Sequence, residues 1–203
     1  WRTTGDFWDD WNDLYHAFEI CHEWEGVGGP GHWPDADMLP FGHLAIRATE
    51  RGWGERWTHF TQDEQITLMT LWCIFRSPLM VGAELNDNDE FTLNLLTNDE
   101  VLALLRDGRN ARQVYREERY NYAGEVIVWK AEDEAGAAYC AVFNCGPKAR
   151  DLAVQLQSTL DLPEGKYAGR DLWAHEEVPV GAHALEVVVP SHGARLIKLT
   201  RAE

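Results

Sequence analysis

Arg2 and Asp6 stand four residues apart, and Asp35 and Asp37 flank a single alanine. A further carboxyl group, Glu84, follows Gly82-Ala83. Carboxyl groups gathered near a guanidinium suit the cleavage of glycosidic bonds. One carboxyl protonates the leaving oxygen, and a second, ~5–5.5 Å away in enzymes that retain anomeric configuration, attacks the anomeric carbon. An arginine offers fixed donors to sugar hydroxyls. An Asp acting as the acid needs burial or a neighbouring carboxylate to lift its pKa above the usual ~3.9. Spacing alone does not separate this chemistry from the commoner use of Asp after a strand, as a helix cap or turn former. Ten Trp, eight of them before residue 73, could stack on the C–H faces of a sugar, although core packing is the ordinary fate of any one of them.

The 203 residues can hold one large domain or two small ones, and they suffice to bury a real core. A formal charge of −16 makes nucleic acid a poor partner, because phosphates call for clustered Lys and Arg. It argues equally against an anionic membrane surface, and no apolar run approaches the ~20 residues of a membrane span. None of Cys21, Cys73, Cys140 and Cys145 forms a C-x-x-C pair, so zinc and thioredoxin readings fail and free thiols are expected.

Trp11, Leu14, Tyr15, Phe18 and Cys21 fall on one helical stripe, predicting a helix over 8–23. Glycines 26–31 end it, and residues 32–39 read as a strand. Residues 41–60 read as loop. Thr61-Gln62-Asp63-Glu64 is a capping box opening a helix to about Arg76 that is apolar on most faces. Ser77-Pro78 stops it, and Leu79 to Ala83 reads as a short buried strand. Thr97-Asn98-Asp99-Glu100 reads as a second capping box, its helix closing at Asp107-Gly108. The pattern then changes. Strand-like runs at 125–129, 137–143, 152–156, 166–173, 185–189 and 194–199 alternate with turn residues such as Tyr122-Ala123-Gly124 and Asn144-Cys145-Gly146-Pro147, which indicates an antiparallel sandwich.

The first half therefore alternates strand and helix, the mark of an α/β parallel-sheet fold. Three such units are about three-eighths of a (β/α)8 barrel, which takes ~250 residues; a small open α/β domain is the alternative. In a barrel, catalytic groups sit at the C-terminal ends of strands, which is where Arg2 with Asp6, Asp35 with Asp37, and Glu84 fall. The expected fold class is α/β plus all-β: the C-terminal part of a (β/α)8 TIM barrel, about strands 6–8, over residues 1–108, and an antiparallel β-sandwich over residues 109–203 that closes a core of its own. A functional motif that opens the chain, with no strand before it, carries the expectation that the chain is the C-terminal portion of something longer.

Three segments carry a resemblance: Trp1-Arg2-Thr3-Thr4-Gly5-Asp6-Phe7, residues Gly29 to Leu39 (Gly-Pro-Gly-His-Trp-Pro-Asp-Ala-Asp-Met-Leu), and residues Arg76 to Leu85 (Arg-Ser-Pro-Leu-Met-Val-Gly-Ala-Glu-Leu). In order and spacing they resemble glycoside hydrolase family 27, the α-galactosidases and α-N-acetylgalactosaminidases. The tail from Ser191 to Leu199 is similar to the end of that family's C-terminal sandwich. The resemblance implies that Asp6 is the general acid/base and that Arg2 and Asp37 bind sugar hydroxyls. Trp1 and Met38 would line the pocket, with Asp35 supporting. It implies no metal or organic cofactor, a galactoside as substrate, and the N-terminal half of the same barrel as partner, with a homo-oligomer as a further expectation.

Where this chain has Pro34 and Ala36, the family commonly has Asn and Pro, which predicts a difference on the leaving-group side. The family's nucleophilic aspartate lies on an earlier strand in a motif that does not occur here, so the isolated chain is expected to be inactive. The alternatives are a non-catalytic carbohydrate-binding or complementing fragment, or a member specific for α-N-acetylgalactosamine or β-L-arabinopyranose.

Overall fold

A computed structural model describes residues 1–47, 54–117 and 125–202. Three extended stretches run side by side in one direction. Arg2 bridges Asp35 and Leu39 bridges Val81, both in parallel. Thr3 N–H donates to Asp35 O (3.0 Å), Asp35 N–H to Trp1 O (2.9 Å), Leu39 N–H to Met80 O (2.8 Å) and Gly82 N–H to Leu39 O (2.9 Å). Helix α1 (Trp11–Glu23) connects the first stretch to the second, and α2 (Gln62–Phe75) connects the second to the third. The order is the expected alternation, but the strands are reduced to bridges. The middle one lies between Pro34 and Pro40, which have no N–H to give. Its centre, Asp37, has a left-handed backbone (φ 80°), so Asp35 pairs to one side and Leu39 to the other.

Local chemistry sets the helix ends. Asp10 caps α1 by accepting from Asn12 N–H at 2.8 Å, which starts the helix at Trp11 instead of residue 8. Thr61 and Glu64 form both bonds of a capping box at 3.3 and 2.8 Å. The second box does not form. Thr97 closes α3 (Glu90–Leu96), a helix not foreseen, and Asn98 is the cap of α4 (Asp99–Asp107). Asn98 accepts from the Glu100 and Val101 amides, both at 3.1 Å, while the Glu100 side chain leaves the helix for other partners. Where the sequence of residues 41–60 reads as loop, the described part includes a short antiparallel pair, β1 (His43–Leu44) with β2 (Arg56–Trp57). The middle of that segment, like the turn expected at 122–124, lies outside the described residues.

A six-stranded antiparallel sheet follows, ordered β3 (Arg109–Arg116), β4 (Val126–Glu132), β5 (Ala138–Asn144), β10 (Ala194–Arg201), β7 (Tyr167–Asp171), β8 (Glu176–Val178). A two-stranded sheet of β6 (Arg150–Gln155) and β9 (Ala184–Val189) faces it. Alternate residues point to opposite faces. Val126, Val128, Cys140, Val142, Ile197 and Leu199 pack toward β6 and β9. Ile127, Trp129, Tyr139, Ala141, Phe143 and Leu196 join a single core with Leu14 and Phe18 of α1 and Leu68, Leu71 and Trp72 of α2. The sandwich expected to close on itself therefore buries only one face of its large sheet internally, and the helices fill the other. Polar contacts join the same parts. His192 stacks flat on Trp11 (3.8 Å, 1°) and binds Glu64 at 2.8 Å, and Trp173 donates to Thr70 at 2.9 Å. All four cysteines are buried. Among the described residues no helix is long and apolar enough to cross a membrane.

Glu100 reaches from α4 to Arg170 (2.5 and 2.8 Å) and His175 (2.7 Å). The Arg170 bond, opposed by burial and aided by His175, holds its carboxyl at about 2 against an ordinary 4.5. A carboxyl depressed in the fold stabilises it above the unfolded pKa, and that contribution is lost as pH falls through the folded one. Glu100→Gln should cost about 1–2 kcal/mol at neutral pH, allowing for solvent screening. Urea melts should show the gap from wild type closing between roughly pH 5 and pH 2; a gap that persists at the lowest pH would assign the loss to packing instead.

Candidate active site

Arg2 is the hub. Its Nη1 donates to Asp6 Oδ1 at 3.1 Å and its Nη2 to Asp37 Oδ2 at 2.8 Å and to the Gly5 carbonyl. Asp37 Oδ2 also accepts from the Phe7 amide at 2.7 Å. One carboxylate oxygen thus ties the strand carrying Arg2 to the loop carrying Asp6. Asp35 lies beside Arg2 in the parallel bridge, and its Oδ1 accepts from the Asp37 amide at 2.9 Å. The Asp37 carbonyl accepts from the indole N–H of Trp72 at 2.9 Å. The amide, the carbonyl and one carboxylate oxygen of Asp37 are therefore engaged, which keeps its unusual backbone in place.

Asp6 has Arg2 beside it but is otherwise open, its side chain 78% exposed. Met38 lies against Gly82, where any side chain would collide with its thioether. Trp1 precedes Arg2 on the same stretch, and its carbonyl accepts from the Asp35 amide. It is 59% exposed and stacks on His32 (5.9 Å, 17°) next to Trp24. Glu84 does not join the cluster; it caps a 3-10 turn (Leu85–Asp87) by accepting from Asn86 N–H at 3.2 Å. Pro34 and Ala36 are buried, and the Ala36 amide donates to Ser77 Oγ at 2.9 Å. The two departures from the family pattern are thus buried next to Asp35 and Asp37 rather than exposed. Among the described residues no group of three or more His, Cys, Asp or Glu is placed to hold a metal.

Further residues hold the site from behind and were not read from the sequence as part of it. Asp9 is almost fully buried and receives a forked bond from Arg56, with Nε at 3.1 Å, and the His59 amide at 2.9 Å. Burial pushes its carboxyl up, but Arg56 and the amides outweigh that and hold it below the ordinary value. His43, on β1, binds Asp87 through Nδ1 (2.5 Å) and Glu55 through Nε2 (2.9 Å) and stacks on Trp57 at 5.2 Å. The β1–β2 pair is thereby tied to the loop after Asp6 on one side and to the turn after Glu84 on the other. Trp72 carried the one available signal, because an indole N–H inside an otherwise apolar helix must find an acceptor.

Both parts of the chain match known families. The family described as "Alpha galactosidase A" matches residues 1–107, and "Alpha galactosidase C-terminal beta sandwich domain" matches residues 123–199. Alpha-galactosidase 2 of Arabidopsis thaliana is 26% identical over 203 residues, covering 99% of this chain and 46% of that protein. A GH27 β-L-arabinopyranosidase from Geobacillus stearothermophilus is 48% identical, with a TM-score of 0.91 over 100% of this chain and 45% of that one. A variant of the same enzyme has been solved in complex with arabinose. Alpha-galactosidase I from Mortierella vinacea shares the fold at 20% identity and a TM-score of 0.77, over 100% of this chain and 53% of that one. The chain spans about half the length of these relatives.

The His43 bridge has a pH signature. Bonding to Asp87 raises the imidazole pKa above its ordinary 6.5, against a smaller opposing effect of burial, and Glu55 adds to the rise. Only the imidazolium can donate to both carboxylates at once. Its contribution is fully present below the unfolded pKa and is lost as pH rises through the folded one. Hydrogen exchange at the Thr58 amide, which bonds Gly42 O at 2.8 Å, should accelerate as pH rises above the ordinary imidazole value of 6.5, beyond the intrinsic base-catalysed rate. Amides inside α2 should not follow, and Asp87→Asn should flatten the difference. Equal relative protection of Thr58 below that value and well above it would rule the bridge out.

Proposed function

We propose a hydrolytic function from one premise: the chain belongs to the α-galactosidase family, glycoside hydrolase family 27. The reaction is retaining cleavage of a terminal pyranoside of galacto configuration. The observation that carries this reading is the placement of Arg2 between Asp6 and Asp37, an exposed carboxyl and a pinned one either side of a guanidinium. Asp6 acts as general acid on the leaving oxygen and then as general base on water. Arg2 and Asp37 hold the ring hydroxyls, Trp1 and Met38 line the pocket, and Asp35 supports Asp37. The attacking carboxylate comes from a further part of the barrel, which also covers Asp6 and dries it. In this reading residues 1–108 are barrel and residues 109–203 sandwich, and the chemistry calls for no cofactor.

A second reading concerns the sugar. β-L-Arabinopyranose has the ring stereochemistry of α-D-galactose without the exocyclic hydroxymethyl group. The 48% identity to an arabinopyranosidase over the whole chain favours it over the galactoside, against 26% for the plant α-galactosidase. Comparing kcat/KM on nitrophenyl β-L-arabinopyranoside and α-D-galactoside with the full-length protein decides between them.

Asp6→Asn should cost about 10²–10⁴-fold on substrates with poor leaving groups, much less with dinitrophenyl, and azide should rescue the deglycosylation step. An equal loss for every leaving group in the glycosylation step, with no azide rescue, would remove Asp6 from the acid/base role. Asp37→Ala should instead lower kcat/KM for all leaving groups alike.

A further inference from the structure

We propose that Trp72, buried behind the site, is the positioning residue for Asp37 and, through Phe7, for the loop that carries Asp6. This rests on the reading of Asp37 as a sugar-binding group. Trp72 has no exposed surface, so its N–H has no recourse to water and is satisfied by the Asp37 carbonyl at 2.9 Å. The same indole packs on the Phe7 ring at 5.1 Å and 51°. Phe7 closes the triangle by giving its amide to Asp37 Oδ2 at 2.7 Å.

The Asp37 backbone at φ 80° is disfavoured for a side-chain-bearing residue. Two bonds orient its peptide units: the Asp35 carboxylate takes the amide and Trp72 takes up the carbonyl. If the carbonyl were released, the peptide could rotate toward ordinary β geometry. The carboxylate would then swing away from both Arg2 and Phe7. Because α2 is held by its capping box at Thr61 and by Arg76, which caps it and donates to the carbonyls of Leu105, Arg106 and Gly108, the indole is a fixed point to which the more open site residues are referred.

The test removes only the N–H. Benzothienylalanine, a tryptophan isostere with sulfur in place of the N–H, is installed at position 72 of the full-length protein, and far-UV dichroism and the melting curve check that the fold is kept. Exchange at the Phe7 amide should rise about tenfold, the size expected for losing one buried hydrogen bond, while amides within α2 keep their protection. The Ki for free arabinose or galactose should rise by a similar factor, and that rise should vanish in an Asp37→Ala background. Unchanged Phe7 exchange, or an equal loss of affinity in both backgrounds, would overturn the role of Trp72. Asp37→Ala that leaves sugar affinity intact would instead sink the reading of Asp37, with the Phe7 amide still deciding whether Trp72 positions it.

Discussion

The site depends on one residue adopting a backbone conformation that residues other than glycine seldom enter. Asp37 at φ 80° carries a strain of roughly 1–3 kcal/mol, and it breaks its strand in two. In return the carboxylate turns back along the sheet. There a single oxygen meets the Arg2 guanidinium and the Phe7 amide together. An ordinary strand residue would direct its side chain to one face only and could not join the neighbouring strand to the loop beyond it. The strain persists because Asp35, Trp72, Arg2 and Phe7 all bond to the same residue.

Those anchors in turn depend on how α2 is buried. Nearly all of its faces are apolar, so it needs partners on more than one side. The parallel stretches supply one, through Phe7 and Leu39, and the large antiparallel sheet supplies another, through Ile127, Trp129, Tyr139 and Phe143. The continuous apolar runs of β4 and β5 have the same origin. Strands covered on both faces lose the inside–outside alternation of a solvent-facing sheet. The helix that positions the candidate site is thus shared core between the α/β part and the sheet, and a packing defect on the sheet side of α2 would reach Asp37 through Trp72.

Much of this was legible in the residues because it is local. Thr61 and Glu64 specify their own box, and the alternation of helix and strand gives the parallel order. Arg2, Asp6, Asp35 and Asp37 are close in space because short βα units return the chain to neighbouring strand ends. What could not be read was decided by partners far along the chain. Thr97-Asn98-Asp99-Glu100 satisfies the box pattern, yet Glu100 is taken by Arg170, 70 residues away, and Asn98 caps in place of Thr97. Strand β3 is polar and rich in arginine; it exists because β4 offers a paired edge. The sequence marks Pro34 and Ala36 as departures from the family pattern but not their burial, nor that the Ala36 N–H serves Ser77. A proline at 36 has no proton for that bond.

The two ties of the β1–β2 pair differ in kind, and the difference bears on how the site's loops are held. Arg56 stays charged throughout the useful pH range, and the Asp9 carboxyl is held below its ordinary value by that same bond working against burial. This tie therefore persists wherever the protein is folded, and it fixes the segment from Phe7 to Asp9 close to Asp6. The tie through His43 exists in full only while the imidazole is protonated. Deprotonating the imidazole removes one of its two carboxylate bonds and leaves the Arg56–Asp9 bonds in place. The carboxyl group proposed to move the proton is thus referred to ties made by the guanidiniums of Arg2 and Arg56, whereas the His43 tie holds the turn after Glu84.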